Sequence, residues 1–224
     1  MKKGTISLIL GLLLVVGALG LTGYNLWDDH RAKKTSTEAL SVLTPQITSH
    51  PIPASGRSVY THVAVSEESA GDIQPDEIEY PPYVLDPTRD MPTKEVDGRT
   101  YVGVLDIPAL GKSFPVQSEW SYPNLKASPC RYAGSVYLDT MVICAHNYAG
   151  HFSTIKNLSI GDTVTFTDVD GNVFTYRVLE LITLRPNQNK DMISGDDWDL
   201  TLFTCTVGGR SRIAVRFERV EGEA

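Results

Sequence analysis

Cys205 closes the strand-like run Thr201-Leu202-Phe203-Thr204-Cys205. After the short loop Thr206-Val207-Gly208-Gly209-Arg210-Ser211 the chain resumes as the alternating run Arg212-Ile213-Ala214-Val215-Arg216. A thiol at the end of one strand, beside a guanidinium at the start of the next, pairs a nucleophile with a group that can hold an oxyanion. The loop is polar and glycine-rich, which leaves the sulfur at the surface, and Arg210 and Arg212 make its surroundings electropositive. Positive charge nearby favours a thiolate, the attacking species. Upstream, His146 leaves the apolar run Met141–Ala145 for a polar loop, a position from which an imidazole can act as general acid and base. Each residue also has an ordinary reading. Cysteine at the end of an apolar strand is commonly inert core, His146 could cap its strand, and Arg212 could be a rim charge with Arg210 competing for its role.

Metal chemistry is a weaker reading. Cys144, His146 and His151 are spaced unlike any zinc-ligand pattern. Asp168-Val169-Asp170-Gly171-Asn172 carries two early positions of a calcium loop but not the late glutamate, and alternating runs flank it, so a hairpin turn is expected there. No cofactor or metal is therefore expected. His30, His50 and His62 fall in polar stretches and read as solvated. Three cysteines cannot all pair, so at least one thiol is left over; Cys130 and Cys144 either bridge or serve as small buried hydrophobes.

The elements that must position these side chains are short β-type runs. From about Arg99 the chain reads Tyr101–Ile107 and Lys112–Val116 around the turn Pro108-Ala109-Leu110-Gly111, then Val136–Leu138, Met141–Ala145, Val164–Thr167, Val173–Val178 with Asp170-Gly171 before it, Leu179–Leu184, Leu200–Thr204 and Ile213–Val220. Only His151–Leu158 and Lys190–Ser194 suggest short helices. Many short strands and few helices predict a mainly β unit, a closed or nearly closed antiparallel barrel of about eight strands. A chain of 224 residues, 42% hydrophobic, can bury one such core with some extension. Its formal charge of -7 excludes a protein built to grip nucleic acid through clustered positive charge.

Lys2 and Lys3 precede an almost wholly apolar stretch, and residues 5–26 are long enough to cross a bilayer at about 1.5 Å per residue. Tyr24 and Trp27 would sit at the outer interface, with a cytoplasmic amino terminus and the remainder exported. Ala18-Leu19-Gly20 offers the rival reading of a cleaved signal peptide, but the apolar run continues past it. The expected organisation is a transmembrane anchor over 1–27, a stalk and Pro-rich linker over 28–98, and a catalytic barrel over 99–224. Residues 28–42 read as a charged juxtamembrane helix or stalk with too few apolar positions for a strong stripe. Eight of the 13 prolines follow between Thr44 and Pro92, a composition suited to a linker. Tyr80-Pro81-Pro82-Tyr83 supplies aromatic anchors that can pack on the core or over the cleft.

The Thr-Leu-x-Thr-Cys pattern at 201–205, the histidine loop at 146, the Arg-Ile-Ala-Val-Arg run and Gly103-Val104-Leu105-Asp106-Ile107-Pro108 with Pro115-Val116 together resemble the sortases. These are cysteine transpeptidases that attach proteins to Gram-positive cell walls. The resemblance covers roughly the last 125 residues. It implies that Cys205 attacks a backbone carbonyl within a carboxy-terminal sorting motif of an exported protein, forming a thioacyl enzyme. An amine of a peptidoglycan precursor, or a pilin lysine, then resolves it. His146 would move the proton between leaving and incoming amines. Arg212, preferred over Arg210 because it starts the strand that resembles the family's arginine strand, would hold substrate and developing charge. Ala145-His146-Asn147 resembles class B members, but 185–199 is too short for their inserted helix. Pilus-building members carry a second membrane segment at the carboxy terminus. This chain ends in Glu221-Gly222-Glu223-Ala224, so an anchoring enzyme is expected over a polymerase. The alternatives are a thiol peptidase of another fold, and a non-catalytic membrane-tethered β domain for adhesion or assembly with Cys205 buried.

Overall fold

The computed structural model describes residues 3–47, 80–195 and 197–220. The central Pro-rich stretch, including His50 and His62, lies outside the described residues. Nine strands form one sheet: β1 (Lys94–Val96), β2 (Arg99–Ile107), β3 (Lys112–Gln117), β4 (Cys130–Ala133), β5 (Met141–Ala145), β6 (Thr163–Asp168), β7 (Val173–Leu184), β8 (Leu200–Cys205) and β9 (Arg212–Val220). Their order is β1-β2-β3-β4-β5-β8-β9-β7-β6, and β6 pairs back onto β2, so strands β2 to β9 close a barrel with β1 as an added edge. Period-two alternation fills its interior: Met141, Ile143 and Ala145 from β5, Leu200 and Leu202 from β8, Val215 and Phe217 from β9, and Phe174, Tyr176 and Val178 from β7 share one buried cluster. At about 1.5–3 kcal/mol for each large apolar side chain buried, this cluster supplies most of the drive for closure.

The hairpins follow their turn residues. Ile107 opposes Lys112 across Pro108–Leu110. The acidic stretch 168–172 is a hairpin turn between β6 and β7. The Asp168 carboxylate is spent within it, accepting from the backbone N–H of Asp170 and Asn172 (both 2.9 Å), the Asn172 amide (2.8 Å) and the Tyr137 hydroxyl (2.8 Å). Three expectations need correction. Val136–Leu138 is a turn, held by Ser135, whose carbonyl accepts from the Leu138 N–H and whose hydroxyl accepts from the Tyr137 N–H. Leu179–Leu184 is the second half of β7, continuous through a bulge between Val178 and Glu180. The barrel is not wholly antiparallel: β5 pairs β8 in parallel over five residue pairs, and β3 meets β4 in parallel at one.

Helix α1 (Lys3–Leu43) is one continuous element of 41 residues. Its first part leaves Leu8, Leu12, Leu19 and Leu26 exposed, whereas from Asp28 onward Asp28, Ala32, Ser36, Ala39 and Leu43 are buried. That spacing of three to four residues is a single helix face. Small side chains at 32, 36 and 39 let the backbone approach the barrel closely, and Ala39 and Leu43 pack with Val96, Tyr101 and Val104. Of the helix or stalk expected over 28–42, the structure has a helix, docked on the barrel; its face is faint in the sequence because small Ala and Ser side chains make up most of it, with Leu43 at the end. After the undescribed stretch, the short helix α2 (Pro82–Leu85) puts Tyr83 into the core, stacked on Tyr137 at 4.6 Å and tilted against Phe174 at 5.4 Å. Phe174 lies near the opposite end of β7 from Leu184, which faces Arg212, so α2 is about 30 Å along the strand from the Cys205 end.

Two stability predictions follow from this packing. A methyl group at Gly103 would fall onto the Thr167 carbonyl oxygen and against the Phe166 ring. Gly103→Ala should therefore cost about 2–4 kcal/mol, read as a lower midpoint in denaturant. His151 is fully buried, neither ring nitrogen makes a hydrogen bond of good geometry among the described residues, and burial, with His146 nearby, pushes its imidazole down to about 4. The unfolded chain, with histidine near 6.5, takes up the proton first, so this contribution is complete above about pH 6.5 and is lost as the pH falls toward 4. His151→Phe should flatten that slope by about 3 kcal/mol in urea titrations at pH 7 and pH 4; an unchanged slope would contradict it.

Candidate active site

Strand alternation and register place the candidate residues. On β5, Ala145 and Ile143 face the interior, so Val142 and Cys144 face outward and His146 continues that outward row. On β8, Leu202 points inward and Phe203 outward, which turns Cys205 outward. On β9, Val215 is interior and Ala214 exterior, so Arg212 is exterior as well. Across strands, Ala145 pairs with Thr204 and Thr204 with Ile213, while Cys205 pairs directly with Arg212. Cys205 and Arg212 are thus adjacent across β8 and β9, about 5 Å apart at the backbone, and His146 follows directly after the end of β5, which pairs β8 as far as Thr204. All three side chains are partly exposed.

The parallel β5–β8 pairing makes this possible, because both strands end at the same rim. The Thr204 hydroxyl donates to the Ala145 carbonyl at 2.8 Å and is buried, stapling the two strands immediately behind the row. On the other side the 206–211 loop closes on itself. The Thr206 N–H donates to the Ser211 carbonyl at 3.0 Å and the Ser211 N–H to the Thr206 hydroxyl at 3.1 Å. Gly208 and Gly209 take φ values of 79° and 69°, which suit glycine. Arg212 Nη1 donates to the Gly209 and Ser211 carbonyls, both at 3.2 Å, which holds the guanidinium over the loop. No acceptor among the described residues takes its Nε or Nη2.

His146 stacks on Tyr148, with ring centroids 4.6 Å apart and planes 23° from parallel, and Tyr148 in turn stacks on His151 at 5.6 Å. Burial pushes the His146 imidazole below the ordinary histidine value; the Asp28 carboxylate opposes that shift and Lys126 adds to it. Its Nε2 is buried without a hydrogen-bond partner among the described residues. Sequence reasoning missed Tyr148 and Asp28. A tyrosine two residues beyond His146 was the one available signal, and nothing local linked it to residue 28.

The other two thiols are different in kind. Cys130 and Cys144 face each other across β4 and β5, both free and buried, and burial pushes Cys130 up to about 12 and Cys144 higher still. Among the described residues, no group of His, Cys, Asp and Glu converges as metal ligands do. Outside the barrel, Val142, Ala214, Leu184, Met192 and Trp198 form an apolar floor bordered by Phe203 and Ile182, beside the helix α4 (Asn189–Ile193). It adjoins Cys205 through Phe203. A separate cleft of about 420 Å³ lined by Trp120, Arg131 and Tyr132 includes none of the three row residues.

A sortase-domain family model matches residues 105–220, just over half of the chain. Sortase C from Streptococcus pneumoniae is 26% identical with a TM-score of 0.51, covering 58% of this chain and 73% of its own. Sortase A from Corynebacterium diphtheriae is 21% identical with a TM-score of 0.51 over 56% of this chain and 63% of its own. Sortase C1 of GBS pilus island 1 is 23% identical with a TM-score of 0.48, over 54% and 64%. The chain thus spans a little under two thirds of the length of the last two. No curated protein matches the sequence. The domain match and the closed barrel agree with one another: the chain belongs to the sortase family.

Proposed function

We propose that this protein is a membrane-anchored cysteine transpeptidase that cleaves a carboxy-terminal sorting motif of exported proteins and transfers them to an amine of the cell wall. A pilin lysine is the alternative acceptor. The observation that carries this reading is the His146, Cys205, Arg212 row at one rim, on a barrel whose other cysteines are buried.

The Cys205 thiolate adds to the backbone carbonyl of the motif, and the tetrahedral oxyanion is met by Arg212 N–H donors that are not used by the loop. The C–N bond then breaks as His146, protonated, gives its proton to the leaving amine. The thioacyl enzyme remains. An incoming amine attacks the thioester, neutral His146 takes its proton, and Cys205 leaves as thiolate, which restores the starting state. The exposed apolar part of α1 is long enough to cross a bilayer, and Lys2 and Lys3 favour a cytoplasmic amino terminus, with the barrel outside.

Two outcomes test this reading. Full-length protein incubated with a peptide library should yield a thioacyl adduct on Cys205 by mass spectrometry. Cys205→Ala should abolish it, and His146→Ala or Arg212→Ala should slow its formation by at least about 10²-fold. An active Cys205→Ala protein removes the covalent route altogether. Brief treatment of the folded protein with an alkylating reagent at neutral pH should modify Cys205 and spare Cys130 and Cys144. Labelling of the buried pair first would count against Cys205 as the nucleophile.

A further inference from the structure

The loop that carries His146 is held from outside the barrel by the first residues of α1 beyond its apolar part. The Tyr148 hydroxyl donates to Asp28 Oδ2 at 2.7 Å. The Gly150 N–H donates to Asp29 Oδ1 at 3.1 Å, and Gly150 lies against the stem of Lys33. From the barrel side, Lys112 Nζ donates to the Ala149 carbonyl at 2.8 Å. The loop is thus bracketed between the helix and the start of β3. Asp28 itself is buried, 4% exposed, and its other oxygen, Oδ1, accepts from Arg31 at 3.2 Å. A carboxylate buried against a barrel 120 residues away in sequence, and bonded to the ring under the imidazole, is more than a helix contact.

We propose that Asp28 is a positioning residue for the transfer reaction: by fixing the Tyr148 phenol it sets the platform on which the His146 imidazole stacks, which makes the membrane-proximal helix a working part of the active site. The inference rests on the sortase reading for what His146 does, but the contact chain Asp28, Tyr148, His146 is geometric. Asp28 also acts through its charge. It is the carboxylate that opposes the loss of the His146 proton. The other groups acting on that imidazole are Lys126 after the short helix α3 (Tyr122–Leu125), and Tyr148 and His151 from its own loop. Lys126 works against the proton, and buried His151 is neutral near pH 7. Losing the charge at 28 should therefore leave His146 with less of its protonated form at a given pH.

The test uses the full chain in lipid nanodiscs with Asp28→Asn and Tyr148→Phe. The first keeps an acceptor for the phenol and removes the charge; the second keeps the stacked ring and removes the bond. The His146 ring is followed by NMR with labelled histidine, assigned by its disappearance in His146→Asn, and thioacyl formation is measured across pH. In Asp28→Asn the His146 midpoint should move to lower pH, the rate profile should move with it, and kcat/KM near neutrality should fall roughly tenfold. Tyr148→Phe should lower kcat more than it raises KM, and Asp28→Glu should restore most of the rate. A His146 midpoint and a pH profile that stay where they are in Asp28→Asn overturn the proposal, even if the overall rate falls, since that pattern belongs to a merely structural contact. The NMR midpoint needs no turnover. If the unaltered protein forms no thioacyl species, the enzyme reading fails while the titration still decides the clamp.

Discussion

One pairing carries the site: β5 runs parallel to β8. Antiparallel neighbours would put the carboxy-terminal ends of the two strands at opposite rims, with His146 and Cys205 a strand length apart. Parallel strands end together, so the exits of both open onto the same edge. The Thr204 to Ala145 bond is the local device that keeps this register, and it lies one residue before the thiol and one before the imidazole. Because side chains alternate along a strand, a slip of one residue would send Cys205 into the apolar interior. The antiparallel β8–β9 hairpin then adds Arg212 on the other flank. Three residues separated by as many as 66 positions in sequence come together through two register rules.

Much of this was legible because it is local. The β2–β3 and β6–β7 hairpins announce themselves through turn residues and alternation, and the 201–216 stretch reads as strand, tight loop, strand with cysteine and arginine at the facing ends. The parallel pairing was not legible, since no turn connects β5 to β8 and nothing in either strand names its partner. The turn at 136–138 reads as a strand because Val136 and Tyr137 are apolar and buried for packing, while Leu138 is exposed and Gly134 and Asp139, both at positive φ, set the backbone. The docked half of α1 was hidden for a related reason: the middle of its buried face is Ala32, Ser36 and Ala39, whose value is closeness of approach rather than apolar area.

That closeness changes the part played by the charges at the membrane edge. Asp28 and Asp29, the first charges after the apolar span, bind the hydroxyl of Tyr148 and the amide of Gly150. In sequence they lie over a hundred residues from the loop they hold, and no periodicity could join them. Buried polar contacts of this sort are retained only where both partners are satisfied, and here both are, through one aspartate on each donor.

The unbroken course of α1 also settles how the barrel is carried. Ile47 packs beside Leu43 against the barrel, and Tyr83 is stacked in its core. If the apolar half of the helix lies in a bilayer, the docked half would hold the barrel within about one or two helical turns of the headgroups. A barrel mounted in this way would be confined to sliding in the plane of the membrane and would not sweep a volume on a tether.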